Sequence, residues 1–348
     1  MSLRYCLIGC GRVSRSHITA ARNNGLEIAA LCDINPAAVQ ESLGSMDVAG
    51  IPVYADYQAM LREIKPRLVA IATPSGLHAQ MALDCLATGA HVIIEKPIAM
   101  NMVDARRISQ AAEAASLVVG VNLQNRFNPA VTELKRAVEA GRFGAIYNAS
   151  MQLNWHRGDD YYNSAAWRGT KALDGGAMMN QSIHGIDLLD WMLGGNPAQV
   201  TALTATLARG IESEDLGLAL LRYPGGALAS LTCTTLRYHG AEEQTLEING
   251  ARGCVRLGGS SAHVVELWRF DDNAPGEEAA MRRRFGKNPE TVYGHGHSLH
   301  YADVLRAINE NSRPLVDAAE GSRALEIILG AYESAEKGRS VYLHEKTS

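Results

Sequence analysis

The first thirty-odd residues constrain this chain more than any other stretch. An apolar strand, Leu3–Ile8, runs straight into Gly9-Cys10-Gly11-Arg12-Val13-Ser14. A helical pattern follows over Ser16–Asn24, and a second apolar run, Leu26–Cys32, ends at Asp33. Strand, glycine-rich turn, helix, strand and terminal carboxylate in that order form the unit that holds a dinucleotide. Gly9 allows the tight turn, and Gly11 lets the backbone approach a pyrophosphate at the helix N-terminus. The third fingerprint position is Ser14, a small residue that still permits close helix–strand packing. A glycine-rich turn alone is weak evidence, because such turns also occur without ligands. Asp33 adds to it: it stands 22 residues past Gly11, close to the ~20 expected of the carboxylate that takes the ribose hydroxyls. Ile34 and Asn35 follow with no arginine. A 2′-phosphate would meet a negative charge and no partner, so NAD is expected rather than NADP.

The alternation continues. Helical periodicity covers Pro36–Met46 and Asp56–Glu63, and the strand Leu68–Ala72 runs into Thr73-Pro74-Ser75-Gly76. A helix over Leu77–Thr88 stops at Gly89. Next come the strand of His91-Val92-Ile93-Ile94-Glu95-Lys96-Pro97, a helix over Met102–Ala115 and a strand over Leu117–Gly120. This order predicts a Rossmann-type, doubly wound parallel sheet with its strand ends on one rim. Gly9–Ser14, Asp33, Thr73–Gly76, Glu95–Pro97 and Asn122–Asn125 share that rim, where open α/β sheets bind ligands. Proline ends a ladder because it has no N–H. Turn chemistry alone would account for Thr73-Pro74 and Lys96-Pro97. The cation beside an apolar strand end is what makes Lys96 a candidate for chemistry.

Past about residue 123 the pattern changes. Asn128–Gly141 is an amphipathic helix, and Ala145–His156 alternates between polar and apolar residues. Strands are expected at Gln199–Ala208, Leu216–Tyr223, Gly226–Thr235, Thr245–Asn249, Gly253–Leu257 and Val264–Phe270. Pro224-Gly225-Gly226 and Asn249-Gly250 are their turns. Consecutive short strands argue for an antiparallel sheet. Asp271–Asn288 is polar enough for a mobile loop, and helices over Leu299–Glu310 and Ala318–Glu336 could return to the first domain. The expected organisation is therefore a cofactor domain over 1–122 and an α+β domain over 123–348, the count natural for 348 residues.

Composition excludes several classes. The 33 basic against 37 acidic residues leave a net charge of −4, so there is no excess of cations to hold a nucleic-acid backbone. No apolar run approaches the ~20 residues a membrane helix needs, and no charged leader with a cleavage site precedes the first strand. A cytoplasmic location is expected. Six cysteines are scattered without a Cys-x-x-Cys pair, which fits reduced buried thiols. No His/Cys/carboxylate set has zinc spacing, and no metal is expected.

The densest polar and aromatic patch lies between the two patterns. It holds Trp155, His156, Arg157, Tyr161, Tyr162, Trp167, Arg168 and the run Asp174-Gly175-Gly176, then Asn180-Gln181-Ser182-Ile183-His184 and Asp187. A helix over Ser182–Met192 would put Asn180, His184 and Asp187, spaced four and three, on one face. A lone histidine is usually only packed or exposed. One flanked by Asn and Asp after a Gly-Gly turn is a candidate general base, with Asp187 fixing its tautomer. The plainer reading of Asp187 is a helix-surface or interdomain salt-bridge residue. Arg157 and Arg168 suit a substrate carboxylate or phosphate, or else pair with Asp159, Asp160 or Asp174.

Together the Gly-x-Gly turn, Thr73-Pro74 with His78, Glu95-Lys96-Pro97 and the Gly175–Asp187 block with His184 resemble the glucose-fructose oxidoreductase/inositol dehydrogenase (Gfo/Idh/MocA) family. The resemblance implies a second domain built on a large open-faced, mostly antiparallel sheet that often forms the subunit interface, hence a homo-dimer or homo-tetramer. It implies sugar or cyclitol substrates with Lys96 and His184 flanking the reacting carbon. In many members the position of Asn180 is Asp, completing a Lys-Asp-His set. Here the amide cannot accept a proton, which leaves the work to Lys96 and His184. By the same resemblance Arg12, Val13, Thr73, Pro74, His78, Glu95, Lys96, Gln124, Trp167 and Arg168 join Gly9, Gly11 and Asp33 at the cofactor. Arg157, Tyr161, Tyr162, Asn180, Lys96 and His184 would face substrate. Leu123–Phe127, the Tyr-Tyr/Trp-Arg-Gly-Thr block and Met179–His184 look most like the branch that oxidises UDP-N-acetylglucosaminuronate at its third carbon. A free-sugar or inositol dehydrogenase is the first alternative, and a dinucleotide-binding regulator without chemistry is the second.

Overall fold

The computed structural model describes residues 3–343 apart from 241, 290–293 and 295, with the backbone only at 38 and 41. The chain forms two compact units, Met1–Gln124 with His295–Ser322, and Asn125–Gly294 with Arg323–Ser348.

In the first unit β1 (Arg4–Ile8), β2 (Glu27–Cys32), β3 (Val53–Tyr54), β4 (Leu68–Ile71), β5 (His91–Ile94) and β6 (Val119–Val121) form one parallel sheet in the order β3-β2-β1-β4-β5-β6. The crossovers carry α1 (Ser14–Asn23), α2 (Pro36–Leu43), α3 (Tyr57–Ile64), α4 (His78–Ala87) and α5 (Met102–Ala115). With helices on both faces, β4 and β5 are buried at every position, which is why they read as continuous apolar runs rather than alternating ones. Local signals set the helix ends. Asn101 accepts the Asp104 N–H at 2.9 Å to start α5, and Ser116 closes it in the left-handed region at φ +53°.

Register makes the carboxyl edge level. Ile8 pairs with both Cys32 and Ile71, Ile71 with Ile94, and Ile94 with Val121. Gly9, Asp33, Ala72, Glu95 and Asn122 therefore leave the sheet side by side, as the alternation predicts.

The second unit contains α6 (Pro129–Glu139), β7 (Ile146–Asn154), α7 (Asp159–Asn163), a π-helical turn at Ala177–Gln181 and α8 (Ile183–Met192). Then follow β8 (Gln199–Ala205), β9 (Leu216–Arg222), β10 (Leu228–Thr234), β11 (Glu243–Gly250), β12 (Gly253–Gly258), β13 (Val264–Phe270) and α9 (Glu277–Arg284). Beyond them α10 (Gly296–Glu310) lies in the first unit, where Tyr301 and Val304 join its core. The chain ends with α11 (Ala318–Lys337) and β14 (Val341–Tyr342).

The eight-stranded sheet runs β13-β12-β11-β7-β10-β9-β8-β14 and is antiparallel except where β10 lies parallel to β7. One face is buried: Met151, Leu153, Leu231, Cys233, Leu246 and Ile248 are each at most 1% exposed. Gly185 lets α8 sit close on that face, because a β-carbon there would come within 2.6 Å of the Met151 sulfur. The other face is open.

Two expectations are corrected. The stretch Asp271–Asn288 contains α9, a helix without an apolar face, so periodicity does not reveal it. Tertiary contacts hold it: Glu277 takes Arg142 at 2.7 Å and the Trp268 indole N–H at 2.8 Å. The β11–β12 turn falls at Ala251-Arg252, and Gly250 instead sits at a register shift in β11.

Candidate functional site

Candidate residues stand in both units. In the first, the rim is shaped at Gly9, whose φ of +92° is open to glycine and where a β-carbon would lie 2.5 Å from the Ala72 carbonyl. Above Gly11 an added β-carbon would meet nothing within 4 Å. Val13 stands at the N-cap of α1, and Arg12 is exposed beside it. Asp33 accepts the Cys10 N–H on one oxygen and the Asn35 N–H on the other, each at 2.9 Å. The carboxylate is thus fixed at the end of β2, against the glycine turn. Thr73 and Pro74 lead into the short turn Ser75–Leu77. His78 is buried beneath, its ring nitrogens 2.7 Å from the Pro97 carbonyl and 3.0 Å from that of Thr73. Burial pushes its pKa down. Expected at the cofactor, His78 in fact ties two strand ends together from below.

This half fits a dinucleotide on its own geometry: an open cradle at Gly11, a helix N-terminus, and a carboxylate held without a cationic neighbour at 34 or 35. The amide oxygens of Asn122 and Gln124 are buried with no hydrogen-bond partner among the described residues, so acceptors stand ready where β6 meets the rim.

Lys96 is half-buried after β5, with a cis bond to Pro97. Next to it Glu95 is the hub of a buried network that sequence reasoning missed. Its Oε1 lies 3.0 Å from His17 Nε2 and 3.5 Å from His297 Nε2, and it accepts the Asn122 amide. Oε2 faces the Lys96 N–H at 3.3 Å. The other His17 nitrogen is 2.7 Å from the Tyr301 hydroxyl, which is 2.9 Å from that of Tyr5. Burial alone would raise the Glu95 pKa, but hydrogen bonds from His17 and His297 outweigh it and hold the carboxyl well below its usual range. Glu95, expected at the cofactor, is spent inside the fold. The one sequence signal was an ionisable His17 on the buried face of α1.

In the second unit the structure places Asn180 in the π-turn rather than on α8, so spacing does not set its direction. The turn is anchored by Glu214, whose carboxylate accepts the Met178 N–H at 2.7 Å and the Tyr332 hydroxyl at 2.9 Å. Burial raises the pKa of Glu214. The Asn180 side-chain NH2 donates to Asp174, whose other oxygen accepts the Gly169 N–H at 2.7 Å.

His184 is half-buried in the first turn of α8. Asp187 is 1% exposed and grips Arg126, itself 1% exposed, through Nε at 2.9 Å and Nη2 at 2.7 Å. The guanidinium stacks 5.0 Å from the Trp191 ring. The carboxylate expected to fix the imidazole tautomer holds a buried ion pair with Arg126 that seats α8.

Among the described residues, Arg157 and Arg168 turn to partners other than the aspartates weighed for them. Arg157 meets Glu242 at 2.7 Å and the Gln181 side-chain oxygen Oε1 at 3.2 Å. Arg168 donates to the Tyr161 hydroxyl at 2.7 Å and lies over the Tyr161 and Trp167 rings. Gln181 also donates to Tyr161, at 3.0 Å. Arg157, Tyr161, Trp167 and Arg168 thus form one cluster beside the π-turn. Tyr162 is turned to Thr235 at 3.3 Å.

Known proteins resemble the chain along nearly its whole length. Residues 3–123 match the oxidoreductase family model with an NAD-binding Rossmann fold, and residues 131–256 match the GFO/IDH/MocA C-terminal domain. The WlbA dehydrogenase of Chromobacterium violaceum, solved with NADH and UDP-GlcNAcA, is 36% identical with a TM-score of 0.90, over 99% of this chain and 97% of that one. The WlbA dehydrogenase of Bordetella pertussis, solved with the same two ligands, is 35% identical with a TM-score of 0.88, over 98% and 99%. A D-apiose dehydrogenase of Paraburkholderia graminis is 26% identical over 97% of this chain and 88% of its own length. The chain belongs to the Gfo/Idh/MocA family of NAD-binding oxidoreductases.

Proposed function

We propose that this enzyme oxidises a secondary hydroxyl of a UDP-sugar to a ketone, the substrate being UDP-N-acetylglucosaminuronate or a near relative, oxidised at its third carbon. The observation that carries the reading is identity above one third, along nearly the whole chain, with two dehydrogenases bound to NADH and UDP-GlcNAcA. Bound NAD would supply the hydride acceptor. His184 removes the hydroxyl proton, and Lys96 donates to the same oxygen and steadies its developing negative charge. Asp187 contributes through Arg126, by holding the helix that carries His184. Arg168, with no carboxylate ion pair among the described residues, is offered to a carboxylate or phosphate of the ligands. A homo-oligomer is part of the proposal. Leu203, Leu218, Leu220 and Leu228 are 41–70% exposed on the open face of the large sheet, where Leu203 pairs with Leu218 across neighbouring strands. A second copy would cover them.

The D-apiose dehydrogenase relative favours one other reading, a free sugar or cyclitol as substrate. NADH formation with UDP-sugars against free pentoses, hexoses and inositols separates the two. Turnover confined to the free sugars would sink the nucleotide-sugar proposal.

A further inference from the structure

Asn180 stands where a carboxylate would complete a Lys-Asp-His set, yet a carboxylate is in contact with it. Asp174 is 1% exposed. It follows the turn at Thr170, to whose carbonyl its own N–H donates at 3.2 Å. One Asp174 oxygen is pinned by the Gly169 N–H at 2.7 Å, and the other accepts from the Asn180 side chain. An ionised carboxylate only accepts, so the amide must turn its NH2 toward Asp174 and its carbonyl oxygen the opposite way. The π-turn fixes the Asn180 backbone from the other side: its N–H donates to the Gly176 carbonyl at 3.0 Å, and Glu214 clamps the turn's first residues. Backbone and side chain are both held, and the direction of the carbonyl is the result.

We infer that Asp174 is a positioning residue that turns the Asn180 carbonyl oxygen toward the sugar as a hydrogen-bond acceptor. This rests on the proposed reading of Asn180 as a substrate residue. An oriented amide oxygen accepts a hydroxyl proton's hydrogen bond without taking the proton. It therefore aims the sugar hydroxyl while leaving proton removal to His184. The missing carboxylate of the family pattern is thus not lost. It is moved one side chain back, where it acts through the amide.

The test is an exchange. In Asp174→Asn the partner can donate as well as accept, so the amide loses its preferred orientation. We expect kcat/KM to fall roughly 10- to 100-fold with NAD affinity unchanged. In Asn180→Asp two carboxylates touch and share a proton, adding an ionisation to the pH profile. The double variant Asp174→Asn/Asn180→Asp restores the bond with its polarity reversed and keeps an oxygen facing the sugar. It should recover most of the turnover and lose the extra ionisation. An Asp174→Asn variant as active as wild type would overturn the inference. So would a double variant that melts like wild type but does not recover turnover. The comparison uses whichever sugar the wild type oxidises. Selective isotope labelling of asparagine side chains reads the amide without substrate: the Asn180 NH2 signal should move in Asp174→Asn, and a signal that stays put overturns the inference. Failure of every UDP-sugar would overturn the proposed function alone.

Discussion

Asp187→Asn separates two jobs for one carboxylate. Asp187 and Arg126 are each 1% exposed and joined by contacts of 2.7, 2.9 and 3.2 Å. Removing the negative charge takes its bidentate counter-ion from a buried guanidinium, which costs about 3–5 kcal/mol. In a unit of this size each kcal/mol lowers the melting temperature by about 2–4 °C, so a drop of about 6–20 °C follows. The assay is built into the sequence. All four tryptophans, Trp155, Trp167, Trp191 and Trp268, lie in the second unit, so tryptophan fluorescence reports its unfolding alone. Arg126→Met should cost a similar amount by removing the carboxylate's bidentate cation. Arg126→Met/Asp187→Leu, which removes both charges, should recover most of the loss. Turnover measured well below the melt should fall little in Asp187→Asn. If the melt is unchanged while kcat collapses, Asp187 serves the His184 imidazole and the ion-pair account is wrong.

Three further outcomes are expected. Asp33→Ser should shift the ratio of kcat/KM for NAD to that for NADP by roughly 10- to 100-fold toward NADP, since it removes the charge that repels a 2′-phosphate; an unchanged ratio would place cofactor selection elsewhere. Gly9→Ala forces a side chain into φ +92° and against the Ala72 carbonyl, which should cost about 1–3 kcal/mol and weaken NAD binding in calorimetric titration. Acid should destabilise the first unit through His300 and Glu95 together. Burial pushes the His300 pKa from 6.5 down to about 3, so the unfolded chain protonates first and stability is lost as pH falls below that ordinary value. The depressed Glu95 carboxyl contributes fully above the ordinary carboxylate value and loses that contribution on further acidification. Melts that hold level from neutrality down to about pH 4.5 would contradict the His300 assignment, and melts that stay level on acidification below that would contradict the Glu95 one.

The parallel sheet was legible because its signals are local. Buried strands are unbroken apolar runs bounded by glycine and proline, and α5 begins at an asparagine cap and spans the residues its periodicity predicts. The rim followed from topology alone. What stayed hidden depends on partners distant in the chain. His17, Glu95, His297 and Tyr301 meet only once α1, β5 and α10 are packed. Arg126 and Asp187 are 61 residues apart, so spacing within α8 could not name the guanidinium that the carboxylate holds. Asn180 was set on the face of that helix because a π-turn closes one residue later than an α-turn and has no distinct periodicity. α9 lacked an apolar stripe altogether and is held by ion pairs and an indole hydrogen bond.

Lys96→Met offers the most direct test of the central claim, that hydride leaves a sugar carbon whose oxygen Lys96 steadies. With UDP-N-acetylglucosaminuronate as substrate, steady-state NADH formation should fall by about 10²- to 10⁴-fold, while the dissociation constant for NAD stays within about a factor of two, less than 0.5 kcal/mol. Normal turnover at saturating NAD combined with lost NAD affinity would contradict the account and make Lys96 a cofactor ligand only.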